Sequence, residues 1–225
     1  MAKMAAVPFR QVNGHTRPFH APNPIGVVLH KTESHSYERT LNSFLEGPYS
    51  PHFLVGQQEG QVVQLLDTQF HGAHVENAND FYLGIEFYSH PSRPGYEHKQ
   101  DPKTIREELT LFQISIGRDI VSWMSDTHGI PLVGPPSLKE MRDASGHWPG
   151  FCNHADVSAT IPGTHQHGEG LLGSDYIGLG IWPKASRKGQ GYLDEWLADH
   201  PDDPNPQQKA LDQWLLQLGK SVSKS

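Results

Sequence analysis

The run Ile25-Gly-Val-Val-Leu29, followed by His30, most constrains how this chain folds. A continuous apolar and β-branched run of this length predicts a strand covered on both faces, hence a central one. Strand ends in α/β sheets are where ligands bind, so a histidine there is a candidate ligand. Taken alone, it is more often a core histidine with one hydrogen bond.

The rest of the chain alternates helical and strand signals. Residues 1–24 read as an irregular lead-in arm. Tyr37, Leu41, Phe44 and Leu45 share one helical face, with Ser34 or Ser36 as N-cap and Gly47-Pro48 as the stop. His52–Gly56 and Gln61–Leu66 flank the turn Gln57-Gln-Glu-Gly60 and predict a hairpin. Residues 67–81 form a loop rich in His, Asn and Gly. In Leu83–Tyr88, alternation sends Leu83, Ile85 and Phe87 to one face and Glu86 to the other. After a polar loop over 89–103, Thr110-Leu-Phe-Gln113 is a capping box. It opens a helix with the apolar stripe Phe112, Ile116, Ile120, Val121 and Met124, stopped by Gly129-Ile-Pro131. Residues 131–190 read as mostly loop, a length that is usually functional in a compact domain. Pro201–Pro206 reads as a linker before an amphipathic helix at Gln207–Leu218.

Chemistry-bearing residues concentrate at three places. His154, and then His165 and His167, follow on a Gly- and Pro-bearing segment. In an extended stretch positions i and i+2 face one side, so His165 and His167 can both look into one site, one on a metal and the other over a substrate. The bland alternative is a solvated His-rich loop, with most of the 15 histidines expected at the surface. With His30 these imidazoles suit an open zinc site with three protein ligands and a position for water. Glu86 is either a solvated strand charge or a general base facing that water.

Composition removes other classes. Net charge is −7 with no Lys/Arg cluster, which argues against nucleic acid as a partner. One cysteine, Cys152, excludes an internal disulfide and a Cys-rich zinc module. No apolar run approaches the roughly 20 residues of a membrane helix, so no membrane insertion is expected. Met1–Arg10 lacks the hydrophobic core of a signal peptide, so the chain is expected to be cytoplasmic on synthesis.

Six segments in order resemble the zinc-dependent type-2 N-acetylmuramoyl-L-alanine amidases, a group that includes phage endolysins and peptidoglycan-recognition proteins. They are Val27-Val-Leu-His-Lys-Thr32; Ser50-Pro-His-Phe-Leu-Val55 with Gly60-Gln-Val-Val-Gln64; Phe70-His-Gly72; Asn79-Asp-Phe-Tyr-Leu-Gly-Ile-Glu86; the helix from Leu109-Thr110 to Gly129-Ile-Pro131; and Asn153-His-Ala-Asp-Val157. The likeness spans roughly residues 24–170. It implies an α/β fold, a central mixed β-sheet of five or six strands flanked by helices, with the metal in a groove at one sheet edge. It also implies a single catalytic domain over 1–190, with 191–225 as a linker and helix packed on it.

By position, the resemblance makes His30 and His154 the first two ligands of one Zn2+ per chain and Glu86 the catalytic glutamate. His167 takes the third-ligand position and His165 that of a substrate-facing basic residue. His71 and Asn79 become candidate substrate-binding residues. Two departures stand out: the third ligand is His where the family usually has Asp or Cys, and no Pro follows it. Asp156 and Glu169 remain fallback ligands. The implied reaction is hydrolysis of the amide between N-acetylmuramic acid and L-alanine in peptidoglycan by a monomer, as a phage endolysin released through a holin. Alternatives are a cytosolic amidase recycling soluble muropeptides, a non-catalytic peptidoglycan-binding protein, and an unrelated His-rich protein.

Overall fold

The computed structural model describes residues 2–12, 17–19, 24–34, 36–89, 109–163, 171 and 173–181. Its centre is β1, Gly26–Glu33, which pairs in parallel with β4 (Tyr82–Ser89) on one side and β5 (Phe151–Asn153) on the other. Beyond β4 lies β2 (Phe53–Val55), parallel to it, and then β3 (Val62–Gln64), antiparallel to β2. The order is β3-β2-β4-β1-β5, the mixed sheet expected. β1 is longer than its apolar run, since pairing with β4 continues to Glu33–Ser89. His30 is therefore mid-strand, not at its end.

One face of the sheet presents Val27, Leu29, Phe53, Val55, Leu83, Ile85 and Phe87 to the main core. Helix α2, Leu111–His128, covers them and is capped as its sequence predicts: Thr110 and Gln113 form the capping box, and Gly129 ends the helix in the left-handed conformation. Its buried stripe differs from the expected one. Gln113, Ile114, Gly117, Ile120, Val121 and Met124 face inward, while Phe112 and Ile116 are half-buried. Gln113 earns its inward position by donating to Tyr88 O at 2.8 Å. Gly117 is required because a Cβ there would stand 2.6 Å from Leu179 and 2.9 Å from Phe87.

The opposite face carries two separate apolar clusters. Val28, Tyr82 and Cys152 pack with Met141, Trp148 and Val157. Leu54 and Tyr88 pack with Val63, Leu65 and Tyr37 of helix α1, Tyr37–Glu46, which Ser36 caps. Between these clusters the sheet bears polar side chains. That gap, on the sheet's face and not at its edge as expected, positions the site.

The stretch 131–190 holds more structure than its composition suggests. It contains α3 (Leu138–Asp143), β5, α4 (His154–Ser158) and α5 (Gly173–Gly178). Each is six residues or fewer, too short for periodicity to register. The N-terminal arm lies along β3, where Arg10 and Val12 donate backbone bonds to Gln64 and Leu65, and so covers an open sheet edge. Among the described residues no helix is long and apolar enough to cross a membrane. The expected helix at Gln207–Leu218 and the segment 191–225 lie outside the described residues.

Candidate active site

Alternation along β1 sends Val27, Leu29 and Lys31 to the core and Val28, His30 and Thr32 to the opposite face. Lys31 is buried there as an ion pair with Asp175 of α5, Nζ to Oδ2 3.4 Å. On the other face, His30 and Glu86 are direct register partners on β1 and β4. They line a groove of about 600 Å³ together with His74, Asn79 and His154, bounded across the way by Arg39, Thr40 and Phe44 of α1.

His154 reaches this groove because α4 starts directly after β5. It is the first residue of a helix, not part of a loop. Asn153 and Asp156 form that helix's capping box, with Asp156 Oδ2 accepting from Asn153 N at 2.8 Å. This cap ties up the Asp156 carboxylate, which argues against its fallback role as ligand. Nδ1 of His154 lies 3.2 Å from Nδ1 of His30, and the two rings are nearly perpendicular.

His74 completes the described cluster and escaped sequence reasoning. Its Nε2–H donates to Tyr82 O at 3.2 Å, and its Nδ1 lies 3.1 Å from His30 Nε2. Burial, reinforced by the neighbouring His52, holds its pKa well below the usual histidine range, so the ring is neutral. The available hint was Gly84, a glycine in an otherwise bulky strand, which marks a close approach. A Cβ on Gly84 would lie 2.7 Å from the His74 ring. His52 beside it is structural: Nδ1 accepts from Gly84 N at 3.0 Å and Nε2–H donates to Phe70 O at 2.8 Å.

The two residues expected to bind substrate fare differently. His71 contributes nothing to the groove; its Nδ1–H donates to Gly72 O, while Ala73 and His74 supply the wall from that loop. Asn79 does line the groove, but its Oδ1 accepts from the backbone of His74 and Val75 at 2.9 and 2.8 Å. Asn79 thus staples the loop that carries His74. His165, His167 and Glu169 lie outside the described residues. Among the described residues no three His, Cys, Asp or Glu converge on one metal position. Cys152, the chain's one cysteine, is buried and free of any disulfide.

The family model for N-acetylmuramoyl-L-alanine amidase matches residues 20–162, which include His30, Glu86 and His154. No curated protein sequence matches the chain. Among solved structures, AmpD in its selenomethionine form is similar at TM-score 0.50 and 12% identity, covering 79% of this chain and 96% of that one. The hydrolase AmiA of Staphylococcus aureus aligns at TM-score 0.48 and 13% identity, over 98% and 87% of the two chains. The endolysin LysCS, an N-acetylmuramoyl-L-alanine amidase from Clostridium intestinale, aligns at 0.44 and 13%, over 86% and 99%. On the family match, which covers more than half of its length, the chain belongs to the N-acetylmuramoyl-L-alanine amidases, enzymes that act on peptidoglycan.

Proposed function

We propose that this amidase is zinc-dependent and cleaves the bond between the lactyl group of N-acetylmuramic acid and L-alanine, with His30 and His154 holding the metal. The observation that supports this reading is the 3.2 Å separation of the two Nδ1 atoms beside Glu86. Zn–N bonds of about 2.0–2.1 Å at a tetrahedral angle put two ligand nitrogens about 3.3 Å apart, so this donor pair fits. His167 is proposed as the third ligand. Leu171, four residues later, donates its N–H to Asn153 Oδ1 at 2.8 Å, so the chain returns next to His154.

Zinc held here supplies Lewis-acid polarisation of the scissile carbonyl and a lowered pKa for the attacking water. Glu86 accepts the proton of that water and passes it to the leaving amine of L-alanine. His165 is proposed to donate a hydrogen bond to the developing oxyanion. Arg39 and Tyr49 also line the groove, and Tyr49 is 66% exposed. An exposed aromatic at an open rim favours a substrate that continues beyond the site. We therefore propose intact cell wall, as for an endolysin, over soluble muropeptides.

The experiment is digestion of purified sacculi and of soluble muropeptides, each with and without a strong chelator, with identification of the new termini. Chelator-sensitive release of L-alanine amino termini from sacculi is expected. Cleavage confined to soluble fragments would move the enzyme to the recycling role, and full activity after metal removal would sink the zinc assignment.

A further inference from the structure

We propose that His74 is a positioning residue that fixes the tautomer of His30 and thereby aims the His30 Nδ1 lone pair at His154. This inference rests on the metal reading above for its functional meaning, but its structural content stands on hydrogen-bond logic alone. Tyr82 O is a carbonyl and can only accept. His74 Nε2, 3.2 Å away, therefore carries the proton. In a neutral ring the other nitrogen, Nδ1, is then a bare acceptor. His30 Nε2 lies 3.1 Å from it, so His30 is the donor in that contact. With its proton on Nε2, neutral His30 has a bare Nδ1, the atom 3.2 Å from His154 Nδ1. The opposite assignment would set two lone pairs against each other at Tyr82 O.

Three features hold His74 in place for this task. Asn79 Oδ1 accepts from the backbone N–H groups of His74 and Val75. The ring lies against Gly84, whose missing side chain makes the room: a Cβ would approach Nδ1 and Cε1 to 2.7 Å. Gly84 in turn is gripped by His52, through Gly84 N to His52 Nδ1 and His52 N to Gly84 O. Histidine ligands commonly donate their second ring N–H to a fixed acceptor, and loss of that acceptor typically costs about 10- to 100-fold in metal affinity. Here the acceptor is an imidazole, and a carbonyl sets its own tautomer.

The test has two readouts besides activity. Long-range nitrogen–proton NMR on metal-free wild-type protein reports the His30 tautomer, and competition with a chromophoric chelator reports zinc affinity. Wild-type His30 should carry its proton on Nε2. His74→Leu removes the acceptor and should mix the tautomers and weaken zinc binding about 10- to 100-fold. His74→Asn can offer Oδ1 where Nδ1 stood and should stay within a few-fold of wild type. Gly84→Ala should push the ring away and behave like His74→Leu. A wild-type His30 protonated on Nδ1 overturns the proposal, and so does equal loss in the Leu and Asn variants. The first measurement uses the wild-type protein, so an unfolded variant does not shelter the idea. Zinc binding unchanged in His30→Ala would instead refute the metal reading, while the tautomer still decides the role of His74.

Discussion

His30 and Glu86 are register partners on adjacent parallel strands, their side chains on the same face of the sheet. The proposed metal ligand and the proposed general base thus share one rigid backbone frame, with no loop between them. Each is flanked along its own strand by residues turned to the core: Leu29 and Lys31, and Ile85 and Phe87. The polar pair can therefore be changed without cutting into the main core.

That arrangement makes Glu86→Gln a clean probe. Glutamine is nearly isosteric and retains hydrogen bonding, but it does not take up a proton at neutral pH. The variant should fold, melt and bind zinc as the wild type does, while release of L-alanine amino termini falls by roughly 10²–10⁴-fold. Near wild-type turnover would make Glu86 a half-buried strand charge without a catalytic part.

The proposed metal ligands predict a different signature. His30→Ala and His154→Ala should each lose bound zinc, measured by elemental analysis after gel filtration, with turnover lost in parallel. His30 lies on the second face of the sheet and His154 begins α4 beside it, both outside the main core. Their removal should therefore leave the far-ultraviolet circular dichroism intact. Stoichiometric zinc in either variant would remove that residue from the ligand set.

The central strand, the hairpin and both main helices were legible because each carries a periodicity or a cap that local physics enforces. Ser36, Thr110 with Gln113, and Gly129 all cap as their types predict. Chain order alone said little about β5, whose three residues give no period, yet His154 depends on it. Capping boxes at Ser137-x-x-Glu140 and Asn153-x-x-Asp156 were the readable signals for α3 and α4. His74 and the burial of Lys31 were illegible for another reason. Each depends on contacts that are distant in sequence: His30 lies 44 positions from His74, and Asp175 sits on a helix far downstream of Lys31. A local pattern cannot encode a partner that only the fold brings near.

The pair His165 and His167 can be separated by what each loss removes. His167→Ala should lower zinc content, as loss of a ligand, and His167→Asp should retain metal through a carboxylate. His165→Ala should keep its zinc and lose turnover number, since only a transition-state contact is gone. Zinc lost from the His165 variant and kept in the His167 variant would exchange the two roles.

The buried ion pair gives a stability prediction independent of catalysis. Lys31 and Asp175 are 8% and 3% exposed, and the pair joins the strand bearing His30 to α5. Asp175 also accepts from Leu109 N at 2.9 Å through Oδ1. Asp175→Asn keeps an acceptor for Leu109 but removes the carboxylate charge that faces the Lys31 ammonium. Breaking a buried pair in this way costs about 3–5 kcal/mol, or roughly 10 °C in melting temperature for a chain of this size. Adding Lys31→Met removes the ammonium as well and replaces it with an apolar side chain of similar length. The double variant should therefore melt above the Asp175→Asn single variant, an order that simple loss of one contact per mutation does not produce. Calorimetry on the three proteins at one pH decides the matter. A single variant that melts within a degree or two of wild type would mean that the Lys31 ammonium reaches water and that the pair contributes little.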